Sequence, residues 1–280
     1  MKPAENGSCL AAESPLALAA RLGEAGCGVL DTAYRSSMGL FLTPPRVAAL
    51  LAGMFKSAVG DVRLIDLGAG AGALSAAFVE EALKRKWKPH SLHLTVWETE
   101  SEFVPRLQQV LEACVEAGRT DGVPTTFALN HGDMLKEGAT LLQGDLFGGA
   151  RRNRGFTHAI MNPPYRKINA DSEARRLLRR MGLETSNLYT GFLWVAARLL
   201  EPEGQMVAIT PRSFCNGPYF MPFRERFFEE MALEQLHVFD RRDALFVADD
   251  VLQENVVMYA RRTTSRPVSV VLTSSDGLSA

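Results

Sequence analysis

The sequence lacks several things, and each absence removes a class of function. Its four cysteines, Cys9, Cys27, Cys114 and Cys215, are scattered and form no CxxC pair. That argues against a disulfide scaffold or structural zinc and for a reducing, cytoplasmic setting. His90, His93, His131, His158 and His237 show no ligand spacing, so no metal is expected. No apolar run is long enough to cross a bilayer, and the longest, near Gly191–Leu200, carries Arg198. The N-terminus has no basic stretch leading into an apolar one. Ser75 and Ser213 have no His–Asp arrangement to support a hydrolase. Net charge is only −1, too little for binding a polyanion by bulk charge.

What is present reads as a globular α/β chain. With 46% hydrophobic and 22% charged residues over 280 positions, it can fill one sizeable core. Strand-like runs recur at Val62–Asp66, Leu92–Trp97, Thr126–Leu129, Thr157–Met161, Gln205–Thr210, Gln235–Phe239 and Val251–Tyr259. Helical stretches fall between most of them, at Ala73–Lys84, Glu102–Glu116, Tyr189–Leu200 and Pro222–Met231. This alternation predicts a mostly parallel seven-stranded sheet covered on both faces, closed by a terminal antiparallel hairpin. Phe223, Phe227 and Phe228 have core spacing, and Trp97 and Trp194 read as core. A further helix is predicted from about Pro44, with Thr43 as its N-cap.

Asp66-Leu-Gly68-Ala-Gly70-Ala-Gly72 follows the first strand and opens a helix, so the backbone there turns sharply and admits a ligand closely. Such a loop alone is weak evidence. Glu98, ending the next strand, adds a carboxylate placed to accept ribose hydroxyls. The loop reads GxGxG with an acid directly before it. Asp66 suits a cation better than a diphosphate, so the loop resembles motif I of class I methyltransferases and points to S-adenosyl-L-methionine. Asp133, in the turn after the third strand, is either a local cap or a partner for the cofactor's adenine amine.

The most informative tetrad is Asn162-Pro163-Pro164-Tyr165, at the end of an apolar strand. The prolines donate no hydrogen bond and stiffen the turn. An adenine N6 amine is a poor nucleophile because its lone pair is delocalised into the ring. The Asn162 side-chain oxygen and the Pro163 carbonyl can hold its two hydrogens and favour a pyramidal nitrogen. Tyr165 can stack on a base turned out of a duplex. Nine basic residues lie from Arg151 to Arg180, against only Asp171 and Glu173. Beside that tetrad they point to phosphate contact, with Arg166, Lys167, Arg175 and Arg176 the candidates.

In this order the motifs resemble gamma-group amino-methyltransferases, specifically adenine-N6 methyltransferases of type II restriction-modification systems of the BsuBI/PstI kind. Gly39–Pro45 resembles their motif X and contributes Thr43 over the methionine moiety. The Asn187–Phe192, Leu200–Pro211 and Val251–Asn255 stretches resemble later family segments, with Phe246 as a second aromatic wall for the base. The resemblance implies a class I, Rossmann-like fold and a catalytic domain over residues 35–262. Residues 1–34 would form an N-terminal arm, and 263–280 a tail or the start of a recognition domain. It also implies double-stranded DNA as partner and a target-recognition domain or subunit in trans. RNA adenine or protein glutamine methylation, or a non-catalytic cofactor-binding subunit, would use the same turn. The N-terminal motif and the basic segment favour DNA.

Overall fold

The computed structural model describes residues 13–86, 88–146, 155–239 and 254–275. Ser14 caps the first helix, α1 (Pro15–Val29), by accepting from the Ala17 amide at 3.3 Å. Its buried small residues, Ala19, Gly23 and Gly26, let neighbours approach closely. A Cβ at Gly26 would meet the Phe103 ring at 2.7 Å. A short helix, α2 (Thr32–Met38), follows and contributes no buried residue. The next helix, α3, spans Pro45–Gly53, with Pro44 at its N-cap and no side-chain cap bond. Thr43 is therefore not the cap. A proline needs no acceptor at the first turn, and the Thr43 hydroxyl is engaged elsewhere.

The strand and helix alternation then runs from β1 (Asp61–Leu67), α4 (Ala73–Lys84), β2 (Ser91–Glu98), α5 (Val104–Thr120) and β3 (Thr125–His131) to α6 (Met134–Leu146), a helix the sequence reading did not include, and β4 (Phe156–Met161). It continues through α7 (Glu173–Arg180), α8 (Leu188–Leu199), β5 (Leu200–Pro211), α9 (Met221–Glu230), β6 (Met231–Phe239), β7 (Asn255–Arg262) and β8 (Val271–Ser275). The sheet order is β3-β2-β1-β4-β5-β7-β6-β8. Neighbours from β3 through β5 are parallel, and β7 runs antiparallel to both β5 and β6.

Among the described residues the sheet thus has eight strands, not seven. The eighth, β8, pairs in parallel with β6 at the edge. Its side chains are mostly exposed, so it lacks the buried alternation that marks a strand in sequence. The central strands are buried on both faces, as a helix-covered parallel sheet requires. One apolar cluster joins α1, α3, α4 and α5 to the sheet, and the other joins α8 and α9. Phe223, Phe227, Trp97 and Trp194 are all buried. Among the described residues, no helix is long and apolar enough to cross a membrane.

A buried polar knot ties the amino ends of β4 and β5 to the chain after α3. Gln205 Oε1 accepts from the Lys56 amide at 3.0 Å and the Tyr259 hydroxyl at 3.2 Å. His158 Nε2 lies 2.6 Å from the Ser57 carbonyl, which can only accept, so the proton sits on Nε2. The Thr157 hydroxyl, 2.7 Å away, then donates to Nδ1. Burial pushes the imidazole down to about 4. Because the unfolded chain takes up this proton first, the contribution of His158 is complete above pH 6.5 and is lost as pH falls toward about 4. We expect up to about 3 kcal/mol of acid destabilisation from this residue. Urea titrations of wild type and His158→Asn at pH 7 and 4.5 should show it only in the wild type.

Candidate active site

The carboxyl ends of β1, β2 and β4 meet at one cleft. Gly68, Gly70, Trp97, Glu98, Thr99, Phe103 and Asp133 line it, together with the segment 38–42 and with Asn162, Pro164, Arg166 and Phe192. Gly68, Gly70 and Gly72 all have positive φ, at 79°, 55° and 87°. The loop thus follows a path that side-chain-bearing residues rarely take. A Cβ at Gly72 would also lie 2.9 Å from Leu107, so α4 and α5 meet there.

The carboxylates behave differently from one another. Asp66 is fully buried behind the loop, outside the cleft wall. Its Oδ2 accepts from the Ser75 hydroxyl at 2.7 Å, while Oδ1 has no partner. Burial pushes Asp66 up to about 7, the nearby Glu98 charge adds to the rise, and the Ser75 bond opposes it. Glu98 accepts from the Thr99 and Glu100 amides through Oε1 at 2.8 and 2.7 Å, and from Gly70 through Oε2 at 2.6 Å. A carboxylate has roughly four acceptor positions, so one remains on Oε2. Burial raises Glu98 too, against those backbone donors. Asp133 is exposed, lines the cleft and caps α6 by accepting from the Leu135 amide at 2.9 Å. It is both the cap and a cleft residue.

Asn162 lines the same cleft, where β4 ends. Its Nδ2 donates to the Phe41 carbonyl at 3.2 Å and to Thr43 Oγ1 at 3.1 Å. Both amide hydrogens are thereby used and the orientation is fixed. Tyr165 shares its hydroxyl hydrogen between Asn162 Oδ1 at 2.8 Å and the Ile209 carbonyl at 3.1 Å. Burial holds Tyr165 well above the usual phenol range, so it stays a neutral donor. Its ring meets Tyr189 edge to face, with centroids 6.2 Å apart. The chain beyond the corner is pinned by the Ile168 and Leu188 amides, which donate to Ser186 and Arg166 carbonyls at 2.7 and 2.9 Å.

The cleft thus gathers Gly68, Gly70, Glu98, Asp133, Asn162, Pro164 and Arg166. Thr43, Asp66, Gly72, Pro163 and Tyr165 are adjacent to residues that line it but do not line it themselves. Phe246 lies outside the described residues, as do Arg151, Arg152 and Arg154. Lys167 and Arg176 are exposed, but Arg175 is tied to Glu184, which also holds Arg179. Sequence reasoning missed one feature of the lining: Trp97, read as core, also lines the cleft and donates to Glu137 at 2.6 Å. The segment 38–42, expected at the methionine end of the cofactor, also reaches the Asn162–Tyr165 corner, with a Cβ at Gly39 lying 3.2 Å from the Tyr165 amide nitrogen.

Comparison with known proteins settles the family. The sequence pattern of the Eco57I restriction-modification methylases matches residues 104–246, just over half of the chain. The chain belongs to the Eco57I restriction-modification methylase family. The chain is 38% identical over 253 residues to the type II methyltransferase M.PstI of Providencia stuartii, covering 90% of this chain and 48% of that one. It is 34% identical over 247 residues to M.BsuBI of Bacillus subtilis, covering 88% and 48% respectively. The chain therefore spans about half the length of these relatives. Its fold matches a Listeria monocytogenes protein assigned to the class I S-adenosylmethionine-dependent methyltransferases, with a TM-score of 0.65 at 14% identity. That match covers 95% of this chain and 75% of the other.

The cofactor of this fold and family is S-adenosylmethionine, and the residues present fit it. The glycine loop leaves space beside the cleft, and Asp66 Oδ1 is a buried acceptor with nothing to accept. Among the described residues, no group of three or more His, Cys, Asp or Glu could hold a metal ion.

The Gly39 contact gives a direct test of this assembly. Gly39→Ala would place a Cβ at φ 67° against the Tyr165 backbone. We expect it to cost about 1–2 kcal/mol in denaturant titration, because an L side chain is disfavoured in that conformation.

Proposed function

We propose that this methylase transfers a methyl group from S-adenosylmethionine to N6 of an adenine turned out of double-stranded DNA, as the modification arm of restriction-modification. The observation that carries this reading is the locked Asn162 carboxamide beside the glycine-loop cleft. When bound, the cofactor supplies an electrophilic methyl group. The rest is work for the chain's own residues. Gly68, Gly70 and Gly72 provide the cradle, Asp66 the counter-charge for the ammonium group, and Glu98 an acceptor for a ribose hydroxyl. Asp133 faces the cofactor's adenine amine, and Thr43 lies toward the methionine end while holding Asn162 in place.

Asn162 Oδ1 and the Pro163 carbonyl hold the two amine hydrogens, which turns the nitrogen lone pair toward the methyl donor. Pro164 stiffens the corner. Tyr165 forms one wall for the base and Phe246 the other. The product amine releases its proton to solvent, so no general base is required. Arg166, Lys167 and Arg176 serve the DNA backbone, with Arg175 contributing less because of Glu184. Residues 35–262 form the catalytic domain. Target recognition resides in a further domain or partner subunit, corresponding to the half of the relatives that this chain does not span.

One assay tests the chemistry. The protein, labelled S-adenosylmethionine and unmethylated DNA, RNA or protein are incubated, and the modified atom is identified by mass spectrometry. We expect N6-methyladenine in DNA, lowered at least 100-fold by Asn162→Ala with cofactor binding retained. Label on RNA, on glutamine, or on nothing would replace this reading with another. Thr43→Val should lower kcat several-fold with little change in KM, because it loosens the amide rather than the binding surface.

A second test concerns the counter-charge. Cofactor affinity in the wild type should rise as pH increases through about 7, where Asp66 ionises. Asp66→Asn should bind more weakly and lose that dependence by calorimetry.

A further inference from the structure

The short helix α2 leads into the cleft-lining segment 38–42 without an apolar anchor. It contributes no buried residue. Asp31 caps its start by accepting from the Tyr34 amide at 3.0 Å, and Gly39 ends it in a left-handed turn. Its position relative to the cleft therefore depends on polar contacts and on the Gly39 abutment against Pro164 and Tyr165.

One of those polar contacts reaches the turn after β2. The Tyr34 hydroxyl donates to Glu100 Oε2 at 2.8 Å. Tyr34 stands one helical turn before Met38, so both lie on one side of α2. Met38 begins the cleft-lining segment 38–42. Glu100 directly follows Glu98 and Thr99, which line the same cleft. The Glu100 amide also donates to Glu98 Oε1 at 2.7 Å, so the latch and the ribose-facing carboxylate share one turn of chain. The bond thus ties α2 to the turn that carries two cleft residues.

We propose that Tyr34 and Glu100 form a latch that holds α2 and the 38–42 segment closed over bound cofactor, so that exchange of S-adenosylmethionine and its demethylated product requires this bond to open. The proposal rests on the cleft being the S-adenosylmethionine site. The pair is solvent-exposed, so opening costs little, and the latch sets residence time rather than overall fold. Tyr34→Phe removes one hydroxyl and keeps the ring. Glu100→Ala removes the acceptor while leaving the backbone amide that reaches Glu98.

The test is a double-mutant cycle on cofactor release. Labelled S-adenosylmethionine bound to wild type, Tyr34→Phe, Glu100→Ala and the double variant is chased with unlabelled cofactor. Thermal unfolding is followed in parallel. Each single variant should release about fivefold faster, the gain expected from losing a hydrogen bond of about 1 kcal/mol. The double variant should be no faster than the quicker single, with melting temperature unchanged. Unchanged release rates, or rates that multiply in the double variant, overturn the latch. Wild-type protein that binds no S-adenosylmethionine at all overturns the cofactor reading instead, and the two failures are distinct.

Discussion

The site depends on the orientation of one primary amide. Left free, an asparagine side chain at a strand end would rotate and present either its oxygen or its nitrogen to the cleft. Here both hydrogens of Asn162 are claimed by Phe41 and Thr43, from a segment more than a hundred residues earlier in the chain. Only oxygen is left to face outward, and the Tyr165 hydroxyl steadies it. The two prolines keep the corner from offering competing N–H donors. Packing of the 38–42 segment against that corner thus fixes which face of the amide the cleft meets, and the absence of a side chain at Gly39 is what allows it.

Much of this was legible in the residue order, for physical reasons that can be named. The helix at Ala73–Lys84 is read residue for residue because a glycine loop marks its start and its apolar face is continuous. The central strands are read because burial on both faces leaves little polar interruption. What was hidden depends on tertiary contact. The α7 segment Glu173–Arg180 buries only Leu178, so it carries almost no apolar period. The β8 strand shows no buried face, and α2 shows none either. The Thr43 hydroxyl looks like a cap from its neighbours, yet its partner is an amide from β4's end.

The acids illustrate the same limit. Sequence order places Asp66 and Glu98 at strand ends, but not how far each is removed from water. A rise from 3.8 to about 7 means that ionising Asp66 inside the fold is disfavoured by about 4 kcal/mol relative to solvent. The fold tolerates this near neutral pH by keeping the group partly protonated. Glu98 meets the same problem differently, by gathering three backbone donors. One acid waits for a partner and the other already has several, which is why two carboxylates so near each other can coexist behind one glycine loop.

The far edge of the sheet carries a different consequence. At β8, Val271 and Leu272 stand 53% and 70% exposed along a strand that is bonded to β6 on one side. Among the described residues that strand is bonded on one side alone, and exposed valine and leucine along it make a ready template for another strand. A lysine in place of Leu272 would blunt that template while leaving the strand ends that carry the glycine-loop cleft untouched.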